Sequence, residues 1–531
     1  MKALSGFKML TLVLIAATAI AGCSSDSKPS SSPSGSNSPN ETSGTAGEKQ
    51  EVPYVEVWKE NFSTIDVNEK SKISKYIAEQ SGIGVIHPSI PWEGGSAYIQ
   101  RLNTRIASGD LPDLFLPWQG NENTLITQGA VADLTDMLPK YAPHLWESVP
   151  EEVWDVVRTA DPSGKGRIYY VPLVNTYTFY GSFIRKDWLD RVGMEVPKTQ
   201  EEYVEVLRAF RDQDANGNGD PNDELPVSGR EFGRWMDHLF GMYGIAMWEG
   251  FPMWDIYDGE LTYSAVTPNM KDAIAFIRDL YAEKLLDQNT FLNQGSDWVS
   301  AIDGDKLGSW FHINTTLINR TKKIATVNPE VEVAALGIPK VDGYDGFITN
   351  TQLNRPNWLI ANKDEETVIH ALELLDWMEN PDNVEKIVLG LEGVHYELVD
   401  GKPVFLQVDA ATTEPKVMAR AVNNLSSIQL ENEIQLNAAD PESARLYENR
   451  DQVLLDAQKY GKTIAGDGIP ASVYEGYPDI RNHTLYQEYM TKIIIGELDI
   501  SAFDEFVDKW YQSGGQAVTE AARAWYADLS K

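Results

Sequence analysis

The only cysteine of the 531-residue chain, Cys23, closes the run Ile20-Ala21-Gly22-Cys23 directly behind an apolar stretch at 9–19. Lys2 and Lys8 make this start positive, so residues 1–22 have the pattern of an export signal whose removal leaves Cys23 as a lipidated N-terminus. The apolar stretch is short for a bilayer span, and a lipid-capped cysteine leaves no thiol to oxidise outside the cell. Everything that folds must then fold extracellularly. Residues 23–51 are rich in Ser, Pro and Gly and almost free of apolar side chains, so they cannot offset the entropy of ordering and read as a tether. Folding starts near Val52.

Residues 52–531 are too many for one ordinary core and suit two lobes. The formal charge is -34, from 79 acidic against 45 basic residues, which excludes nucleic acid and electrostatic adhesion to anionic lipid. A neutral or cationic ligand meets no long-range repulsion. An anionic one needs local Arg or Lys to overcome the field. No second apolar run is long enough to cross a membrane, so the lipid is the anchor.

Alternation at 53–58 predicts a first strand, followed by a helix over 70–81. Over 97–108 the residues Ile99, Leu102, Ile106 and Ala107 share one helical side, ended by Gly109, and 111–116 returns to extended chain. Strand, helix, strand is the order of an open α/β sheet, with ligands at the carboxyl ends of its strands. Short helical pieces are expected at 130–137 and 141–146. Strands at 169–172 and 179–184 carry the chain between lobes. Helices follow at 186–192 and 199–210, the second opened by Thr199 with Glu202 behind it. Further along are a helix at 269–284, strands at 307–311, 330–338 and 358–360, and helices at 366–378 and 384–389. Two helices at 501–526 are separated by Gly514-Gly515, and no repeat emerges. The expected parts are 52–178 and 179–355 for the two lobes, 356–430 for hinge and lobe-crossing segments, and 431–531 for helices packing on the lobes.

The segment Asp214-Ala215-Asn216-Gly217-Asn218-Gly219-Asp220-Pro221-Asn222-Asp223-Glu224 puts oxygen-bearing side chains at loop positions 1, 3 and 5 and glycine at 6. That is the pattern of a calcium loop, in which alternation aims oxygens at one hard cation and Asp220 offers its carbonyl. Position 12 is Leu225 where such loops have Glu, so Asn222, Asp223 or Glu224 must close the shell. The plain alternative is a surface turn held by its own side chains. The cation, Ca²⁺, would be structural. No HExxH, GxSxG, GKS/GKT loop or GxGxxG before a helix accompanies it. Paired carboxylates such as Asp110 and Asp113, or Glu56 and Glu60, leave glycoside cleavage as the enzyme alternative, though acids are abundant here.

Aromatic side chains stand where packing does not obviously demand them: Trp92, Trp118, Trp235, Trp248, Trp254, Trp298 and Trp310. An indole covers the apolar face of a pyranose while its edge stays polar, so such rings from two lobes would line a cleft. Asn175, Tyr177, Asn357 and His395 are the expected polar partners. Arg185 suits an acidic sugar or, better in so acidic a chain, an internal ion pair.

Arg105-Ile106-Ala107-Ser108-Gly109-Asp110-Leu111-Pro112-Asp113-Leu114-Phe115, Tyr169-Tyr170-Val171-Pro172, Ile184-Arg185-Lys186-Asp187-Trp188-Leu189 and Gly393-Val394-His395-Tyr396, behind the Cys23 motif, complete the picture. With them the chain resembles the extracellular solute-binding lipoproteins of carbohydrate ABC importers, in the large LplA-type branch of Gram-positive bacteria. It is also similar to alginate-binding proteins of that group, whose structural calcium loop resembles residues 214–224. The resemblance implies a two-lobed α/β periplasmic-binding-protein-like fold with a hinge and interlobe cleft. It further implies a monomer, tethered outside the cell by lipid, that captures oligosaccharide and delivers it to an ABC permease without chemistry. A lipid-anchored polysaccharide-processing enzyme is the alternative.

Overall fold

Alternating apolar residues at Val55 and Val57 build the first sheet, whose strand order is Gly84–Ile86, Tyr54–Trp58, Leu114–Phe115, Pro356–Ile360, Val171–Pro172. The first three are parallel, with Val57 opposite Leu114, and Pro356–Ile360 runs antiparallel to both its neighbours. This is a computed structural model, and it describes residues 52–59, 63–90, 96–117, 122–350, 356–409, 411–438 and 441–529. The readings on residues 1–51, Cys23 among them, and on Trp92 and Trp118 lie outside the described residues.

Helices Lys72–Ser81 and Ser96–Ser108 alternate with the parallel strands, as the sequence order requires. Glu365–Glu379 adds Val368, Leu372 and Leu375 to the same core. Each such fully buried side chain contributes roughly 1.5–3 kcal/mol.

The second sheet runs Val333–Ala335, Tyr180–Arg185, Leu307–Ile313, Leu225–Val227. Tyr180–Arg185 is antiparallel to its neighbours, and Leu225–Val227 is parallel to Leu307–Ile313. Every residue of Tyr180–Arg185 is buried, because the sheet is covered on both faces. Tyr180, Ile184 and Phe311 enter one core, while Phe183, Trp310 and Val333 enter another. The period of two thus divides one strand between two layers. The helix Gln200–Asp212 packs here, its start fixed by the reciprocal Thr199 and Glu202 capping box.

The chain leaves the first sheet at Pro172 and enters the second at Tyr180, and it returns from Ile348–Asn350 to Pro356. Val174–Asn175 pairs with Val422–Asn423, and Ile348–Asn350 with Gly461–Thr463, so the crossings are braced strands. Pro172 and Tyr180 both stand at the carboxyl edge of their sheets. The short run 173–179 holds those edges within about 30 Å of each other.

Two expectations change, and two helices appear that periodicity did not place. Residues 130–137 do not form a helix: Val131 bridges Ala361 and the Leu134 amide donates to the Ile168 carbonyl at 2.8 Å, so a sheet edge takes the segment. The strand foreseen at 330–338 shortens to Val333–Ala335. The long helices Leu425–Ala438 and Pro441–Gln458 carry no clean apolar stripe, so periodicity did not bound them, although 431–531 was expected to be helical.

Candidate functional site

Beyond Leu225–Val227 the chain folds into a tight loop in which the Arg230 amide donates to the Arg234 carbonyl at 3.0 Å. A second turn, Glu249-Gly250, joins the paired strands Met247–Trp248 and Phe251–Pro252. The two turns touch: a Cβ on Gly250 would lie 2.8 Å from the Arg234 Cα and N, so only glycine allows the contact. Phe232, Trp235 and Glu249 all have positive φ, at 65°, 62° and 50°. Such backbone is costly for residues with a Cβ and persists where the surroundings over-determine it, as at binding sites.

Arg234 is ion-paired with Glu249, whose Oε1 also accepts the Tyr180 hydroxyl at 2.6 Å. Arg230 is ion-paired with Glu231, and its guanidinium lies 4.0 Å from the centre of the Trp235 ring. Trp235 in turn packs on Trp298 at 4.5 Å and on His312 at 4.4 Å. Burial, with Arg320 and Arg230 nearby, drives the His312 imidazole down to about 3, so it is neutral. Burial and the Glu249 charge push the Tyr180 phenol far up, which keeps it a donor.

Four buried polar atoms of this constellation have no partner within the protein: Arg230 Nε, Glu231 Oε2, Arg234 Nε and Trp235 Nε1. Unpaired buried polar atoms are rare, and each asks for an explanation. Phe232, within the loop, is 50% exposed, and Leu292, 76% exposed, precedes Asn293, whose carbonyl accepts the Glu231 amide at 3.0 Å.

Of the residues singled out from sequence, Trp235 stands at the centre of this site. Trp298 is wholly buried beneath it, its Nε1 donating to the Ser228 carbonyl at 3.2 Å, so it supports a ring instead of offering one. Trp248 is half-buried beside Phe179 at 6.2 Å and meets Tyr180 edge-on at 4.9 Å. Tyr177 is buried next to Phe179, its hydroxyl pushed up to about 12 by burial, and Asn175 is buried in the crossing strand. Asn357 is half-buried where Pro356–Ile360 begins, at the carboxyl edge of the first sheet.

Three other expectations are displaced by burial. Trp254 is 1% exposed and bonded to the Tyr474 hydroxyl at 2.8 Å, and Trp310 lies in the core against Phe183. His395 accepts the Leu391 amide at 2.9 Å and donates to the Glu414 carbonyl at 2.8 Å, so both ring nitrogens serve a turn. Sequence reasoning missed Arg230, Glu231, Phe232, Arg234 and Glu249. The signal available was Gly229-Arg230-Glu231-Phe232-Gly233-Arg234-Trp235, with paired opposite charges and aromatics between glycines.

The acidic loop is a separate feature. The Gly219 amide donates to Asp214 Oδ2 at 3.0 Å, the Asn218 amide to Asn216 Oδ1 at 2.9 Å, and the Asp220 amide to Asn218 Oδ1 at 2.7 Å. Asn222 bonds the exposed Asp220, and Lys306 pairs with Asp223 at 3.4 Å. Asp214 Oδ1 and the buried Glu224 Oε2 lack partners, and burial raises the Glu224 carboxyl above its usual range. An all-oxygen set with two orphaned carboxylate atoms fits a hard cation. Among the described residues no three His, Cys, Asp or Glu side chains gather as a metal site, and the Asn216 and Asn218 side-chain oxygens accept backbone amides of the loop.

Residues 74–393 match the family of bacterial extracellular solute-binding proteins. Lipoprotein LipO of Bacillus subtilis is 22% identical over 96% of this chain and 97% of its own length. The fructooligosaccharide ABC transporter substrate-binding protein FusA of Streptococcus pneumoniae is 28% identical over 47% of each chain. A solved structure of a FusA EF-hand mutant in complex with fructo-nystose superposes with a TM-score of 0.65 at 17% identity, over 90% of this chain and 99% of that one. At that identity the structural likeness is one of fold.

Proposed function

Since the chain belongs to the bacterial extracellular solute-binding protein family, we propose that it captures an oligosaccharide at the carboxyl edges of its two sheets and presents it to an ABC permease. Its relatives are substrate-binding proteins and not enzymes, which sets aside polysaccharide processing. The observation that carries the reading is the set of unpartnered buried atoms on Arg230, Glu231, Arg234 and Trp235. Sugar hydroxyls supply the donors and acceptors such atoms lack, and the half-buried Trp235 and Trp248 offer ring surface beside them. Binding in one sheet's site while the other sheet closes over it would shift an open population toward a closed one.

The acidic loop holds one structural calcium ion through Asp214, Asn216, Asn218, Asp220 and Glu224, with Asn222 and Asp223 completing or bracing the shell. FusA, whose solved variant is described as an EF-hand mutant, supports this assignment. The mature N-terminus is Cys23 carrying lipid, as the LipO relationship favours. Among the described residues no helix is long and apolar enough to cross a membrane.

A glycan array followed by calorimetry tests the function. One oligosaccharide class should bind at one site per chain without turnover, and Arg234→Ala should weaken it at least tenfold while the fold persists. Unaltered binding in that variant would place the sugar elsewhere, and cleavage of the bound glycan would end the reading.

A further inference from the structure

The binding loop is balanced in charge, and that balance names the ligand class. Arg230 faces Glu231 and Arg234 faces Glu249, so each guanidinium is matched by a carboxylate. Arg320, the next cation toward His312, is already held by Asp303 at 2.9 Å. The His312 ring is uncharged, and behind the loop lies the buried Asp237, which accepts the Gly250 amide at 2.9 Å. No cation of this group is left over for an anionic ligand, and the chain as a whole carries -34.

What is left over is hydrogen-bonding capacity: three N–H donors, on Arg230, Arg234 and Trp235, and one carboxylate acceptor on Glu231. Hydroxyl groups both donate and accept, so adjacent hydroxyls of one sugar ring satisfy such a mixed set. A uronate keeps its other ring hydroxyls, but its C6 carboxylate only accepts and offers no donor to Glu231. It would also bring an unmatched charge into a half-buried site beside Glu231 and Glu249, at a desolvation cost the neutral ring avoids. Building on the oligosaccharide reading above, we infer that the Arg230, Glu231, Arg234 and Trp235 subsite takes an uncharged sugar ring with adjacent hydroxyls and rejects uronate rings.

Calorimetry on the full-length mature protein with neutral oligosaccharides, each paired with its C6-oxidised uronate counterpart of equal length, tests the inference. A neutral member should bind at least tenfold tighter than its oxidised partner, with affinity nearly independent of salt between low and physiological ionic strength, since no net charge is neutralised. Glu231→Gln should narrow the gap by freeing Arg230 for an anion, and Glu249→Gln should do so through Arg234 should the first variant fail to fold. Equal or tighter uronate binding, or affinity that falls steeply with salt, overturns the inference and leaves oligosaccharide capture standing. Binding by neither set overturns the capture reading itself.

Discussion

At Asp237 burial dominates: its carboxyl is lifted from the ordinary 3.8 to about 7 despite the hydrogen bond from Gly250. The folded chain therefore keeps a proton that the unfolded chain releases across that window. This group's contribution to stability is fully present below the unfolded value and is lost as pH rises through the folded one, by on the order of 4 kcal/mol. Asp237→Asn keeps the acceptor for Gly250 and removes the titration. Its melting temperature should exceed wild type at pH 8 and converge with it near pH 4, and a pH-independent difference would sink the account. Arg185 shows the opposite logic, because it is wholly buried between Asp187, at 2.9 Å, and Asp305. It is an internal ion pair. Arg185→Met strands two buried carboxylates and should cost about 3–5 kcal/mol in denaturant unfolding. A loss under 1 kcal/mol would show that water reaches them.

Two loops carry the element-scale consequences. The Glu249-Gly250 turn rests on the Arg234 backbone, and a methyl on Gly250, at φ 82°, has no room there. Gly250→Ala should push the turn off the loop at 230–235 and, on the proposed function, weaken sugar binding more than tenfold, with melting lowered by only a few degrees. Intact affinity would mean the turn does not set the site. For the acidic loop, dialysed protein should retain about one calcium ion, and chelation should lower the melting temperature, as loss of any native-state ligand does. Asp214→Ala should abolish that chelator sensitivity. No bound calcium and no chelator effect would reduce residues 214–224 to a turn held by its own amides and carboxylates.

For the whole molecule, two sheets braced by crossing strands predict that saturating sugar shrinks the radius of gyration in solution scattering, and an unchanged radius would argue against closure. Much of this architecture was legible in the chain. Alternation and helical spacing placed Tyr54–Trp58, Lys72–Ser81, Ser96–Ser108 and Gln200–Asp212 within a residue or two, because local periodicity decides which face is buried. The site was only half legible. Trp235 and Trp248 could be named as rings, but Trp254, Trp298 and Trp310 have the same local signature and differ only in what covers them. The oxygen spacing of residues 214–224 is legible in sequence as a loop pattern, and the chelation experiment decides whether that loop holds a cation. Burial and pairing across distant segments are decided by packing, as when Glu249 meets both Arg234 and Tyr180. Sequence by itself determined the strand, helix, strand opening of the first sheet, the capped helix Gln200–Asp212, the oxygen spacing of the acidic loop and the family resemblance. Only the tertiary structure decided which aromatics are covered and which charges meet, because Trp254 is covered by Tyr474, 220 residues on, and Arg234 and Glu249, 15 residues apart, pair only where two turns touch.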